Sequence, residues 1–139
     1  MIRELVTDEE LLSTACEPAT AEDADLAQDL LDTLESIEDA ACLAANQVGV
    51  AKAVVVWMDE DRNPHVMYNP KLLFGVAAQR TVEGCLTRDE PSNVRRFSKI
   101  KVTYDELVDG ELKHRRRDFT GWHAQMIQHM IDHCNGKLV

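Results

Sequence analysis

His129 and His133 stand four residues apart near the end of the chain, in the segment Gly121 to Cys134. In an α-helix, side chains four residues apart lie on one face, one turn above the other. The spacing therefore predicts a helix over 121–134, with Asp118 or Thr120 placed to cap it and Asn135-Gly136 placed to end it. Two imidazoles on one helical face can converge on a single metal ion, with metal–nitrogen bonds of about 2.0–2.1 Å. Catalytic zinc-type sites use three protein ligands and leave one position open. The fold then has to carry a third ligand, from a distant part of the chain, to this helix.

The length of 139 residues fits one domain, 1–139, with a real core. Apolar residues make up 45% and charged residues 29%, the balance of a globular chain and not a disordered one. A formal net charge of −10 argues against nucleic acid as the main ligand, since phosphate binding relies on clustered Lys and Arg. The one basic run, Arg115-Arg116-Arg117, reads as a solvated strand face. Met1-Ile2-Arg3-Glu4 opens into charged sequence without an apolar signal core, and no apolar run approaches the ~18 residues that span a bilayer. Cys16, Cys42, Cys85 and Cys134 then read as free thiols or a metal ligand rather than disulfides, and the cytoplasm is the expected compartment.

Taken in order, Leu26, Leu30, Leu34, Ile37 and Ala41 recur at helical spacing. With Thr20 and Asp23 as a capping box, they predict one long helix of about five to six turns over 20–41. Residues 42–49 are small and leave the helix through a tight turn. Residues 53–58 are β-branched and apolar, a buried strand. Short strands are expected at 65–68, 72–74, 77–82 and 100–104, with 88–96 charged and irregular. Asp109-Gly110 is a hairpin signal joining the strand at 100–104 to one over 112–119. The plan is α+β: antiparallel sheets packed around the C-terminal helix, with a long N-terminal helix.

Cys85, in Glu83-Gly84-Cys85-Leu86, is the candidate third ligand; its thiolate would reach zinc at about 2.3 Å. Each group also has a plainer reading, because a free Cys packs as a small hydrophobe and a His pair can be structural. Cys134 is rotated about 100° from His133 and reads as core, as does Cys16. In zinc hydrolases of the H-E-x-x-H type the residue after the first His is the general base. Here it is Met130.

Three stretches together resemble the peptide deformylase family, whose motifs are G-x-G-x-A-A-x-Q, E-G-C-L-S and Q-H-E-x-D-H. This chain reads Ala40-Ala41-Cys42-Leu43-Ala44-Ala45-Asn46-Gln47, then Glu83-Gly84-Cys85-Leu86-Thr87, then Gln128-His129-Met130-Ile131-Asp132-His133. The resemblance implies that Cys85, His129 and His133 hold one divalent metal, Fe2+ in this family or Zn2+, Ni2+ or Co2+ in its place. It implies that Gln47 and the backbone N–H of Leu86 steady an oxyanion, and that Cys42, Leu43, Glu83 and Gly84 contact substrate. The substrate would be the N-formylmethionyl end of a nascent peptide, cleaved to formate and a free amine.

Three departures qualify that expectation. Met130 replaces the family's Glu, and a thioether neither accepts nor delivers a proton; Asp132 lies on the other side of His129 and is no substitute. Cys42 and Ala40 replace two glycines, and a Cys42 thiolate beside the metal would be a fourth ligand or a redox-sensitive group. Five residues follow Cys134, so ribosome docking through a C-terminal extension is not expected. Three readings follow: a slowed deformylase, a metal-bearing protein that binds formylated or other N-terminal peptides without cleaving them, and a structural metal site. Oxyanion donors speak against the third.

Overall fold

The computed structural model describes the backbone of residues 1–139 and every side chain except that of Asp89. Its centre is a five-stranded antiparallel sheet in the order β1 (Cys42–Ala44), β2 (Val54–Met58), β3 (Pro64–Cys85), β4 (Arg88–Val108) and β5 (Glu111–Thr120). A short helix α1 (Glu9–Leu12), the helix α2 (Ala24–Ser36) and the helix α3 (Gly121–Cys134) complete the chain, an α+β arrangement.

β2 explains how the layers form. All five of its residues are buried, because it is covered on both faces. Val54, Val56 and Met58 pack with Leu26, Leu30 and Leu34 of α2. Val55 and Trp57 point the other way and pack with Ala124, Ile127 and Met130 of α3. The two helices thus lie on opposite faces of the sheet, and α3 is fixed in register by Gln128. Its Oε1 accepts from the Phe97 N–H and its Nε2 donates to the Phe97 carbonyl, both at 2.9 Å.

The Thr20–Asp23 capping box forms as expected, but it caps a 3-10 turn over Ala21–Asp23 ahead of α2. The helix then stops at Ser36, not at 41, with Ile37 already extended at φ −101° and ψ 114° and Asp39 at φ 62°. Helical periodicity continues through Ile37 and Ala41, yet Cys42–Ala44 has to pair with Val55–Trp57 of β2. Strand pairing overrides the local pattern.

The expected short strands at 65–68, 72–74 and 77–82 are one strand, and 88–96 belongs to its partner. Both faces of the outer part of this hairpin are largely exposed, so no buried face imposes an apolar alternation there. Bulges near Asn69 and Leu73 and a positive φ at Ala77 break the pattern further without ending the ladder. The Asp109-Gly110 hairpin is as expected, with both residues at positive φ (51° and 81°), the requirement of a type I′ turn.

Candidate metal centre

α3 carries His129 and His133 to the sheet, and the β3–β4 turn delivers Cys85. The ligating atoms of these three residues lie within 4.8 Å of one another, and Cys85 Sγ is 3.4 Å from His133 Nε2. Tetrahedral coordination with bonds of about 2.05 and 2.3 Å puts a nitrogen and a sulfur about 3.5 Å apart. The donor set therefore fits a four-coordinate ion with three protein ligands and one open position.

Neighbouring side chains hold Cys85 and the His129 ring, as ligands of a bound metal require, whereas His133 is held through its carbonyl and its buried Nδ1 has no partner among the described residues. His129 Nδ1 donates to Glu83 Oε1 at 2.7 Å, which leaves Nε2 as its ligating nitrogen. Arg96 holds Glu83 in turn, with Nε on Oε2 at 2.8 Å and Nη2 on Oε1 at 2.7 Å, and its Nη1 reaches Asp132 Oδ2 at 2.6 Å. Asn46 Nδ2 donates to the His133 carbonyl at 2.9 Å. Gln47 is oriented by the Ala44 N–H, which donates to its Oε1 at 2.9 Å; its Nε2 consequently faces Cys85 Sγ and Thr87 Oγ1, each at 3.4 Å.

The electrostatics suit a cation. Burial works against the Cys85 thiolate, but His129, His133 and Thr87 hydrogen-bond to it and bring the pKa down to about 5. Burial also opposes charge on His129, yet Cys85 and Glu83 beside it raise its pKa to about 9. Glu83 is pulled to about 2 by His129 and Arg96 despite its own burial. Cys42 behaves differently: burial, then the nearby Cys85 and Glu83 charges, push its thiol up to about 12. Cys42 lines the cavity wall beside the three-ligand cluster and is not one of its members.

A cavity of about 530 Å³ opens over the cluster, walled by Cys42, Gln47, Glu83, Gly84, Cys85, Leu86, His129 and Met130 among others. Two residues expected at the site do not line it: His133, which is 1% exposed and joins the cluster from beneath, and Leu43. Leu43 is fully buried on the α2 side with Leu30, Leu34 and Val56. Successive strand residues face opposite sides, and Cys42 and Ala44 take the α3 side, so Leu43 cannot touch a ligand in the cavity. Glu83 lines the cavity with both of its oxygens hydrogen-bonded to His129 and Arg96.

With this geometry in place, the sequence matches the Polypeptide deformylase family over residues 2–139. The chain belongs to the polypeptide deformylase family. It is 34% identical over 140 residues to the peptide deformylase of Clostridium beijerinckii, covering 100% of both chains. It is 38% identical over 116 residues to peptide deformylase 2 of Vibrio cholerae, covering 81% of this chain and 67% of that one. Among solved structures, a peptide deformylase from Legionella pneumophila superposes with a TM-score of 0.85 at 28% identity, over 99% of this chain and 83% of that one. The enzyme from Thermus thermophilus gives 0.84 at 27%, with the same coverage.

Within this deformylase-family chain, sequence reasoning missed Arg96, Thr87, Asn46 and the apolar residues Trp122 and Met126 that complete the cavity. Thr87 is the last residue of the Cys85 motif and could have been suspected. Arg96 carries no local signal, because it lies in a charged run of an exposed hairpin and is buried only through contact with Glu83 and Asp132.

Proposed function

We propose that this chain binds the formylated N-terminus of a peptide at a divalent metal held by Cys85, His129 and His133, and hydrolyses the formyl group slowly. Fe2+ is the ion favoured by resemblance, with Zn2+, Ni2+ or Co2+ as substitutes. A bound ion supplies Lewis-acid activation of water and of the formyl carbonyl. The Gln47 amide, already turned toward Cys85, and the backbone N–H of Leu86 would donate to the oxygen that gains charge. Exposed Trp122, Leu86 and Val82 flank the cavity and offer apolar surface to the peptide side chains.

The observation that carries the word slowly is Met130. It is 2% exposed, lines the cavity beside His129, and packs with Ile127 and Ile131. Among the described residues, no carboxylate free of ion pairing sits beside His129 in its place. Asp132 is bound to Arg96 and Glu83 to both Arg96 and His129. The other carboxylate on the cavity wall, Asp39, is exposed and outside the ligand cluster. General acid–base help is worth roughly 10²–10⁴ in rate. The same burial favours a second reading, in which the formylated end is bound and not cleaved.

The test is formate release from a formyl-methionyl peptide by iron- or nickel-loaded protein prepared without oxygen, alongside Met130→Glu and a calorimetric titration of the peptide. Slow release with measurable binding is the expected result. Equal rates for the two proteins would remove Met130 as the limiting feature, and absence of binding would defeat both readings.

A further inference from the structure

Two of the four cysteines stand apart from the metal centre and are paired with each other. The Cys16 N–H donates to the Cys134 carbonyl at 2.9 Å, which makes the two residues main-chain neighbours. One backbone hydrogen bond of this kind holds two Cα atoms roughly 5–6 Å apart, inside the window of roughly 4.4–6.8 Å that a disulfide spans. The approach is built in and close. Gly136 has φ +74°, and a Cβ there would meet Thr14 C and Ala15 N at 2.7 Å, so the backbone of the opening segment lies directly on the end of α3. Cys134 is buried while Cys16 is half-buried, which gives an oxidant one accessible sulfur.

We infer that Cys16 and Cys134 form a redox modification site: a dithiol that a hydroperoxide converts to a disulfide, fastening the opening segment to the end of the helix that carries His129 and His133. The Cys16 sulfur attacks one peroxide oxygen, forming an S–O bond as the O–O bond breaks, and the departing hydroxide takes the thiol proton and leaves as water. The Cys134 sulfur then displaces the hydroxyl from Cys16; the S–S bond forms, the S–O bond breaks, and a second water leaves with the Cys134 proton. Two thiols lose two hydrogens and one peroxide becomes two waters. Cys42 and Cys85 are less suited, because both line the metal cavity and Cys85 is the ligand thiolate. The inference is independent of Met130 and of peptide turnover.

The test treats the zinc-loaded full chain with hydrogen peroxide, then alkylates it in denaturant and maps its peptides without reduction. The four alkylatable thiols should fall by two, with one cross-link joining the peptides of Cys16 and Cys134, reversed by dithiothreitol. Oxidation should raise Tm by about 5–10 °C, since the bridge closes a long loop, and Cys16→Ser should lose both effects. A cross-link between other cysteines would overturn the inference. So would oxidation of Cys16 without a cross-link, or a Cys16→Ser protein that still loses two thiols. The map of the unmodified sequence decides the matter even if a variant misfolds.

Discussion

The two walls of the cavity differ in kind. On the wall formed by Cys85, His129, Gln47 and Glu83, most polar side-chain atoms are hydrogen-bonded and ion pairing through Arg96 anchors the set, while the buried His133 Nδ1 has no partner among the described residues. The second wall, adjoining the first at His129, presents the Met130 thioether and the protonated Cys42 thiol. The first wall is equipped to grip a cation and steady negative charge; the second has nothing that moves a proton at neutral pH. Binding and proton transfer are therefore separable here: one needs fixed geometry, the other a group that titrates within reach.

The contrast breaks first at the ligands. Cys85→Ala and His133→Ala should each abolish stoichiometric metal, measured by elemental analysis after gel filtration; full retention would dismantle the gripping wall. Met130→Glu comes next and should raise formate release by roughly 10²–10⁴, at little change in metal content. A gain in metal without a gain in rate would show that the second wall limits binding instead.

Removing Arg96 tests how the first wall is held. Arg96→Leu leaves Glu83 and Asp132 without their buried cation, which should destabilise the fold by about 3–5 kcal/mol in a denaturant titration. Metal affinity should fall about 10–100-fold as His129 loses its anchored partner. Unchanged affinity would mean that Glu83 positions His129 without Arg96.

The smallest effect is on the pH dependence of the metal-free protein. Glu83 lies at about 2 against an ordinary 4.5, Cys85 at about 5 against 9.0, and His129 at about 9 against 6.5. A lowered acid adds stability as pH climbs from its folded to its unfolded value, and a raised base gives it up over its own interval. Glu83 thus contributes a rise from pH 2 to 4.5 and Cys85 one from 5 to 9, while His129 imposes a fall from 6.5 to 9. Tm should rise from acid up to about pH 6.5 and then stay level to about 9, where the last two cancel. Cys85→Ser should flatten the rise just below pH 6.5; a wild-type Tm that keeps climbing above neutrality would contradict the His129–Cys85 pairing.

The sequence by itself determined what depends on neighbours along the chain. Four-residue spacing put His129 and His133 on one helical face, Asp109-Gly110 set a hairpin through its backbone preference, and Leu26, Leu30 and Leu34 marked the buried stripe of α2. Three separated motifs sufficed to name the family. The tertiary structure alone decided what depends on pairing between distant segments. Strand formation by Cys42–Ala44 ended α2 early and turned Leu43 away from the cavity. The long β3–β4 ladder left no alternation to read, because with neither face buried its backbone hydrogen bonds, not its side chains, maintain it. Arg96 became part of the metal centre, and Cys16 met Cys134, only because folding placed residues 36 and 118 positions apart within bonding distance. Local periodicity records which face of an element is apolar; it holds no record of what that face, or a charge beside it, will meet.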